Sequence, residues 1–544
     1  MAKIFFPQYA RGRDGIELIV GKSILNHIRK MGGVEIDSEC GGHGICGRDV
    51  IRIEEGEECL SEETAIEQKF SKKGMLASGQ RLACQCMVAE DEKDIKVFIH
   101  DFGKYTILMD TVETSVELNP SVSLKNGRVL YQTGEDLGIY QGKILGLAVD
   151  VGTTTLVMQV VDLITGKNVG KPVASKNPQL AYGNDVISRI GYIMNHKNGL
   201  KELQNAIICA VNKSLDKLEK KLEAEKGEIK RNIYDIVAVG NSTMRSIFFS
   251  QDVHNLGLIP FEPSSKKSLT RKAAGLGLDV HPEAMIYGPP LIGGHAGADC
   301  LADIIAIGLY QNSKKNMIID IGTNGEVVIG NKDRIMTASC AAGGAYEGYQ
   351  IRCGVGAIEG AITQVKIESG KLSYKTLGDK PPLGVCGSGV IDLIAELLKN
   401  NVMNERARIR EEYHITNNIS ITQEDINQLI IAKAGLRTDQ DLLIKYYGTN
   451  INEIDKVYLT GAFGNYMDID NAMAIGLLPN TDKSKYIRFG NGALAGARDM
   501  LISKIKREDA ERLIDLIQHT KPNEIEGENF QYMVAERMYF KGIS

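Results

Sequence analysis

The sequence predicts a multidomain α/β protein: a small β-rich N-terminal unit, a connector, and two lobes of alternating strands and helices. Three observations predict it. The chain has 544 residues, too many for one hydrophobic core. Four apolar strands, "ILGLAVDVGTTT", "DIVAVGNSTM", "NMIIDIGTNGE" and "KVYLTGAFGN", each end in a Gly-rich turn, and helical periodicity runs between them. Two of those ends, "DVGTTT" and "DIGTNGE", share one grammar, which suggests a duplicated half.

Residues 1–95 form the first unit. "AKIFF" and "IELIV" read as strands, "SILNHIRKMG" as a short helix, and a cysteine loop follows. Residues 96–143 hold strand-like pieces, "KVFIHD" and "YTILMD", among polar turns, the mark of a linker or small docking domain. Residues 144–314 make the first lobe and 315–544 the second. In the first lobe, Ile207, Val211, Leu215, Leu218 and Leu222 recur at helical spacing with charges between them, the pattern of an amphipathic surface helix.

Composition excludes several functions. Apolar content of 43% and charged content of 24% are those of a globular protein, and a net charge of -5 with no basic stripe argues against nucleic acid. The N-terminus lacks a secretory signal, and the most apolar stretch is interrupted by Asp150 and Asp162. A cytoplasmic protein that does not span a membrane is expected. Ten cysteines are too sparse for a disulfide scaffold, yet five of them fall between positions 40 and 86, where metal ligation is the better explanation.

The duplicated turns carry the nucleotide chemistry. One strand delivers Asp150 and then Gly152, Thr153, Thr154 and Thr155; another delivers Asp320 and then Gly322, Thr323, Asn324 and Gly325. Glycine lets the backbone approach phosphate oxygens, turn amides and hydroxyls donate to them, and a strand-end Asp can hold hydrated Mg²⁺. No G-x-x-x-x-G-K-[ST] occurs, so this is not a P-loop. The pair resembles the phosphate motifs of the superfamily of acetate and sugar kinases, 70-kDa heat-shock chaperones and actin. "GGHAGADC" (293–300) and "NGALAGAR" (491–498) resemble its two small-residue connecting helices. "VYLTGAFGN" (457–465) is similar to its adenosine motif, with Gly461, Ala462, Phe463 and Gly464 at the turn. The resemblance implies a two-lobed ATPase in which Asp150 and Asp320 share the metal and the attacking water. Asp185, in "AYGNDVISRI", and Glu326 are candidates to orient that water, each also readable as a cap or ion pair.

The loop "CGGHGICGRD" and the later "RLACQC" read as the cradle of a [2Fe–2S] cluster, whose plant-type spacing is C-x₄-C-x₂-C…C. Cys40 and Cys46 are two ligands and Cys84 is the distant one, but Asp49 stands where the third cysteine belongs. Three readings follow: Asp49 is a carboxylate ligand, Cys86 or Cys59 takes over, or the cluster is labile and incomplete. Cys86, two residues from Cys84, points to the opposite side if that segment is extended.

A β-grasp ferredoxin-like domain joined to such an ATPase resembles, along essentially the whole chain, the reductive activators of corrinoid proteins. The resemblance rests on the cysteine loop, "DVGTTT", "GNSTM", "DIGTNGE", "TASCAAG" and "LTGAFG". It implies one-electron transfer from the cluster to Co(II), restoring Co(I) in a corrinoid methyltransferase system with ATP hydrolysis. The implied partners are the corrinoid protein and an electron donor to the cluster, and a homodimer stays open. An activator of another low-potential enzyme and a metabolite kinase with a redox-sensing domain are the rival expectations.

Overall fold

Strand Ile95–Ile99 buries Ile95, Val97 and Ile99 and turns Lys96 and Phe98 outward, the two-residue period of a half-buried strand. It is the centre of a five-stranded N-terminal sheet in the order Ile16–Glu17, Lys3–Phe5, Ile95–Ile99, Val50–Glu55, Gln80–Leu82. Lys3–Phe5 runs parallel to Ile95–Ile99 and the other pairings are antiparallel. Helix Ile24–Met31 packs Ile24, Leu25 and Ile28 onto this sheet. The computed structural model describes residues 2–540 apart from 7–14, 32–35, 37–43, 45–46, 48, 73–75, 77–78, 100–113, 184, 323, 342–344, 347–350, 352, 418 and 465. The expected strand "YTILMD" lies outside the described residues.

The connector contributes a three-stranded antiparallel sheet, Val122–Lys125, Arg128–Tyr131 and Asp136–Ile139. Val122, Val129, Tyr131 and Leu137 sink into the same core as Ala148, Val157 and Leu501, so this sheet is fastened to the two-lobed body.

Each lobe is built on a six-stranded sheet. In the first, Asn168–Lys176, Thr155–Asp162 and Leu145–Val151 are antiparallel neighbours, followed by Ile233–Val239 and Met285–Gly288 in parallel. The second repeats that order and sense with Ile335–Ala341, Asn324–Gly330, Asn316–Ile321, Lys456–Thr460 and Tyr486–Gly490. The sixth strands differ: Leu269–Lys272 joins antiparallel at one end of the first sheet, and Ile517–His519 joins parallel beside Ile335–Ala341 in the second. The shared grammar of "DVGTTT" and "DIGTNGE" thus marks equivalent hairpins of two like lobes.

Helices Val186–Asn195, Gly199–Lys221 and Ser242–Phe248 cover the outer face of the first sheet, and Gly387–Lys399 and Gln423–Tyr447 cover that of the second. Between the sheets, helices Ala298–Ile307 and Gly492–Ile502 share one core with strands of both lobes. Small residues let these two helices cross closely. A Cβ on Gly496 would lie 2.0 Å from the Ala302 carbonyl oxygen, and one on Gly492 would lie 2.1 Å from Asp303 Oδ1. The span from Gly492 to Leu516 therefore leaves the second lobe to pack on the first, and Ile517–His519 returns. Among the described residues, no helix is long and apolar enough to cross a membrane.

Candidate functional site

The first hairpin pairs Val151 with Leu156, which leaves Gly152, Thr153, Thr154 and Thr155 between them. A side chain at 152 would meet the Thr155 carbonyl at 2.6 Å, so the turn requires glycine. Three surrounding side chains hold the tip. Asn177 Nδ2 donates to the Gly152 carbonyl at 2.8 Å, Asn241 Nδ2 to Thr153 Oγ1 at 2.9 Å, and Arg189 to the Thr153 carbonyl at 2.6 Å. Asn177 and Asn241 also cap the helical turns that follow them, so their orientations are set locally before they reach the hairpin. Arg189 is wholly buried and also donates to Gln179 and the Gly183 carbonyl, which brings a fixed positive charge beneath the turn.

In the second hairpin Asp320 pairs with Glu326, which puts both carboxylates on one face of the sheet. Asn324 accepts the Gly322 N–H at 3.0 Å through its carbonyl and pairs with Ala341, while Gly325 pairs with Cys340. Thr323 lies outside the described residues. On the neighbouring parallel strand Thr460 stands beside Asp320, and its hydroxyl donates to Asp303 Oδ2 at 2.9 Å. Gly461 follows with φ +84°, and a Cβ there would lie 2.4 Å from Asp320 Oδ1. It opens the short helix Gly461–Gly464, which holds Ala462 and Phe463, so the expected adenosine turn also backs onto the second phosphate aspartate.

Asp150 and Asp320 come together from the two lobes and do not come alone. Asp299 and Asp303, from the crossing helix, and Glu326 join them. Burial is the first cause in every case, and the mutual repulsion of the carboxylates adds to it for Asp150, Asp299, Asp303 and Glu326. Together these push Asp150 and Asp299 up to about 7 and, by burial, Asp320 to about 6. Asp303 and Glu326 are raised well above the ordinary carboxylate range. Opposing this for Asp150, Asn491 Nδ2 donates to Asp150 Oδ2 at 2.8 Å, while Asn491 Oδ1 caps its helix by accepting from the Leu494 N–H. So much buried acid in one place is a donor set that could hold a hard cation.

Asp185 sits differently. It is the exposed N-cap of helix Val186–Asn195, where its Oδ1 accepts from the Ser188 N–H at 2.7 Å and the Ser188 hydroxyl at 2.8 Å. Its carboxylate is thus engaged in a capping box. Sequence reasoning missed Asp299, Asp303, Arg189 and the donor role of Asn491. Two acids four residues apart in the otherwise small and apolar "GADCLADI" were the available signal for the first two.

In the N-terminal domain, Cys40 and Cys46 lie outside the described residues. Cys84 and Asp49 are both buried and adjacent. The Gly44 N–H donates to the Cys84 sulfur, Gln85 Nε2 approaches it at 3.6 Å, and the Cys84 N–H donates to Asp49 Oδ2 at 2.6 Å. Gly44 and Gly47 take φ +70° and +61°, and a Cβ at either would crowd a neighbour, Gln85 Nε2 at 2.7 Å and Phe70 at 2.2 Å respectively. Burial first, then the adjacent Asp49, pushes the Cys84 thiol up to about 12. Amide donors on sulfur beside an unneutralised buried carboxylate fit an iron–sulfur cluster. The segment after Leu82 is a helical turn rather than the extended piece supposed from sequence, closed by the Cys86 N–H on the Leu82 carbonyl at 2.9 Å.

Comparison with known proteins follows the same division. Residues 12–89 match the family model of the 2Fe-2S iron-sulfur cluster binding domain, 145–312 that of the RACo middle region, and 314–542 that of the C-terminal ASKHA domain of RACo. The corrinoid activation enzyme RamQ of Eubacterium limosum is 30% identical, over 92% of this chain and 93% of that protein. The [Co(II) methylated amine-specific corrinoid protein] reductase of Methanosarcina barkeri is 26% identical over 67% of this chain and 71% of its own. A solved reductive activator for a corrinoid, iron-sulfur protein superposes with a TM-score of 0.72 at 27% identity, over 99% of this chain and 98% of that one. With both its cluster domain and its two ATPase regions matched, and a relative 30% identical along nearly its full length, this chain belongs to the family of reductive activators of corrinoid proteins.

Proposed function

We propose that this protein couples ATP hydrolysis to the one-electron reduction of a corrinoid protein's inactive Co(II), restoring Co(I) in a corrinoid-dependent methyltransferase system. One observation carries the reading: a single chain of this family holds a buried Cys84–Asp49 pair with the Gly44 amide on the sulfur, and a buried carboxylate cluster between two glycine-turn hairpins. When bound, the [2Fe–2S] cluster supplies the electron and is refilled by an external donor.

The residues divide the rest of the work. Gly152 to Thr155 and Gly322 to Gly325 bind the phosphates through amides and hydroxyls, and Gly461 to Gly464 border the adenosine. Asp150 and Asp320, from opposite lobes, would hold Mg²⁺, which would supply charge neutralisation for the phosphates when bound. Their carboxylates would be ionised in that role, against the pull of burial. Glu326, across from Asp320, orients the attacking water. Asp185 stabilises the helix behind the first hairpin. If the cobalt couple lies on the order of 0.1 V below the cluster, the transfer is uphill by about 2.3 kcal/mol, which ATP-driven movement of the lobes can offset.

The cognate corrinoid protein is the partner, and a homodimer is compatible with the scheme. All eight cysteines among the described residues are free thiols, as suits a reducing cytoplasm. The test is anaerobic: with the cluster chemically reduced, Co(I) absorbance of the Co(II) corrinoid protein should appear only with Mg²⁺ and ATP. Equal Co(I) yield without nucleotide would refute the coupling.

A further inference from the structure

We propose that Asp49 is a protein ligand of the [2Fe–2S] cluster, its carboxylate joining the Cys84 sulfur where the usual pattern has a third loop cysteine. The inference rests on the cluster reading above and deepens it. Four observations carry it. Asp49 stands three residues after Cys46, where the two-residue spacing brings a ligand back to the loop. The strand ladder sets its position: Val50 pairs with Leu82, and the next rung is the Ala83 N–H on the Asp49 carbonyl at 2.7 Å. That rung aims Asp49 at Cys84, close enough for Oδ2 to accept the Cys84 N–H at 2.6 Å. Last, Asp49 is 0% exposed and its Oδ1 has no hydrogen-bond partner among the described residues. A buried carboxylate oxygen left unpaired beside a ligand sulfur is an acceptor waiting for a cation.

The alternatives fit the geometry less well. Cys86 lies two residues beyond Cys84 on a helical turn, roughly 200° around it. It is 0% exposed in the apolar core, and its carbonyl is held by the Ile24 N–H at 2.9 Å. Cys59 is tied through its carbonyl to the Ala89 and Glu90 amides, beside the Leu60–Val88 bridge. Asp49 already stands against Cys84.

The test compares the reconstituted full chain with Asp49→Asn, Asp49→Cys, Cys86→Ser and Cys59→Ser, reading iron per chain, visible absorption, reduced-state EPR and reduction potential, with ATP binding as the control for folding. Asp49→Asn keeps the acceptor for Cys84 but loses the anion, and should lose at least half of the bound iron. Asp49→Cys should keep two irons while gaining thiolate-to-iron charge-transfer absorption and shifting the EPR g-values and the potential. Cys86→Ser and Cys59→Ser should match wild type. Full iron with wild-type g-values and potential in both Asp49 variants overturns the ligand assignment alone, as does cluster loss confined to Cys86→Ser or Cys59→Ser. A wild-type chain that binds no iron overturns the cluster reading and this inference with it.

Discussion

Asn491 donates from Nδ2 to Asp150 Oδ2 at 2.8 Å although the two residues are 341 positions apart. The contact joins the cap of the second crossing helix to the aspartate of the first phosphate hairpin, so the hinge between lobes and the nucleotide site share one hydrogen bond. Hydrogen bonds to charged groups contribute about 1.5–3 kcal/mol. Asn491→Ala should lower ATP turnover about tenfold to a hundredfold. Asn491→Ser keeps a cap but cannot reach Asp150, and should recover thermal stability without recovering turnover. Turnover restored by serine would show that only the cap matters.

The buried acids set a pH dependence with a definite sign. Asp150 titrates near 7 in the folded protein and near 4 when unfolded, so between those values the native state holds a proton that the unfolded chain has lost. Stability contributed by this group therefore falls as the pH rises through that window. Asp150→Asn removes the penalty: below about pH 4 the variant and the nucleotide-free wild type should melt together, and by pH 8 the variant should be more stable by on the order of 2–4 kcal/mol. Saturating Mg²⁺ and nucleotide should narrow the gap while the variant stays inactive. Calorimetry across the pH range checks both.

The helix crossing tolerates no added atom at Gly496. In an exposed helix, glycine to alanine stabilises by about 0.5–1 kcal/mol. Here the new Cβ would sit 2.0 Å from the Ala302 carbonyl, so Gly496→Ala should instead cost about 1–3 kcal/mol and slow ATP turnover, as chemical denaturation and an ATPase assay would report.

Asp185 is exposed at its helix start and engaged in a capping box. Asp185→Ala should lower stability by about 1 kcal/mol, and Asp185→Ser should restore it. Turnover should stay within about threefold of wild type in both, well below the roughly hundredfold loss expected for a group that moves the proton of the attacking water. A loss of that size in the serine variant would return Asp185 to the catalytic set.

Arg507 ties three parts of the chain. It donates to Asp235 at 2.5 Å in the first sheet, to the Tyr131 hydroxyl at 3.0 Å in the connector sheet, and to the Met500 carbonyl at 2.7 Å. Asp235 and Arg507 are both buried. Arg507→Met leaves Asp235 without its cation and should cost about 3–5 kcal/mol, whereas Arg507→Met with Asp235→Leu should regain most of it, as a double-mutant cycle would measure.

What could be read from sequence was whatever a short run of residues encodes by itself. "DVGTTT" and "DIGTNGE" specify a strand, a glycine that permits a tight turn, and donors at the tip, and those hairpins stand where their motifs place them, while "LTGAFG" passes from strand to helix at its glycine. A cap was among the readings open for Asp185, and the capping box it forms is local, since Asp185 and Ser188 are three residues apart. The pooled acids were not legible in this way. Asp299 and Asp303 look like ordinary helix residues until Gly492 and Gly496 let a second helix cross theirs, and Asn491 looks like a cap until that crossing brings it to Asp150.

The sequence by itself determined the domain types, the two phosphate turns and the loop in which Asp49 replaces a cysteine, because each depends on local backbone geometry and the character of neighbouring side chains. Only the tertiary structure decided that five carboxylates share one buried site and that Asp49 is held against Cys84 with an oxygen free of partners among the described residues. Both results depend on burial and on approach between residues far apart in the chain. Dielectric and distance set the strength of charge, and folding alone sets those.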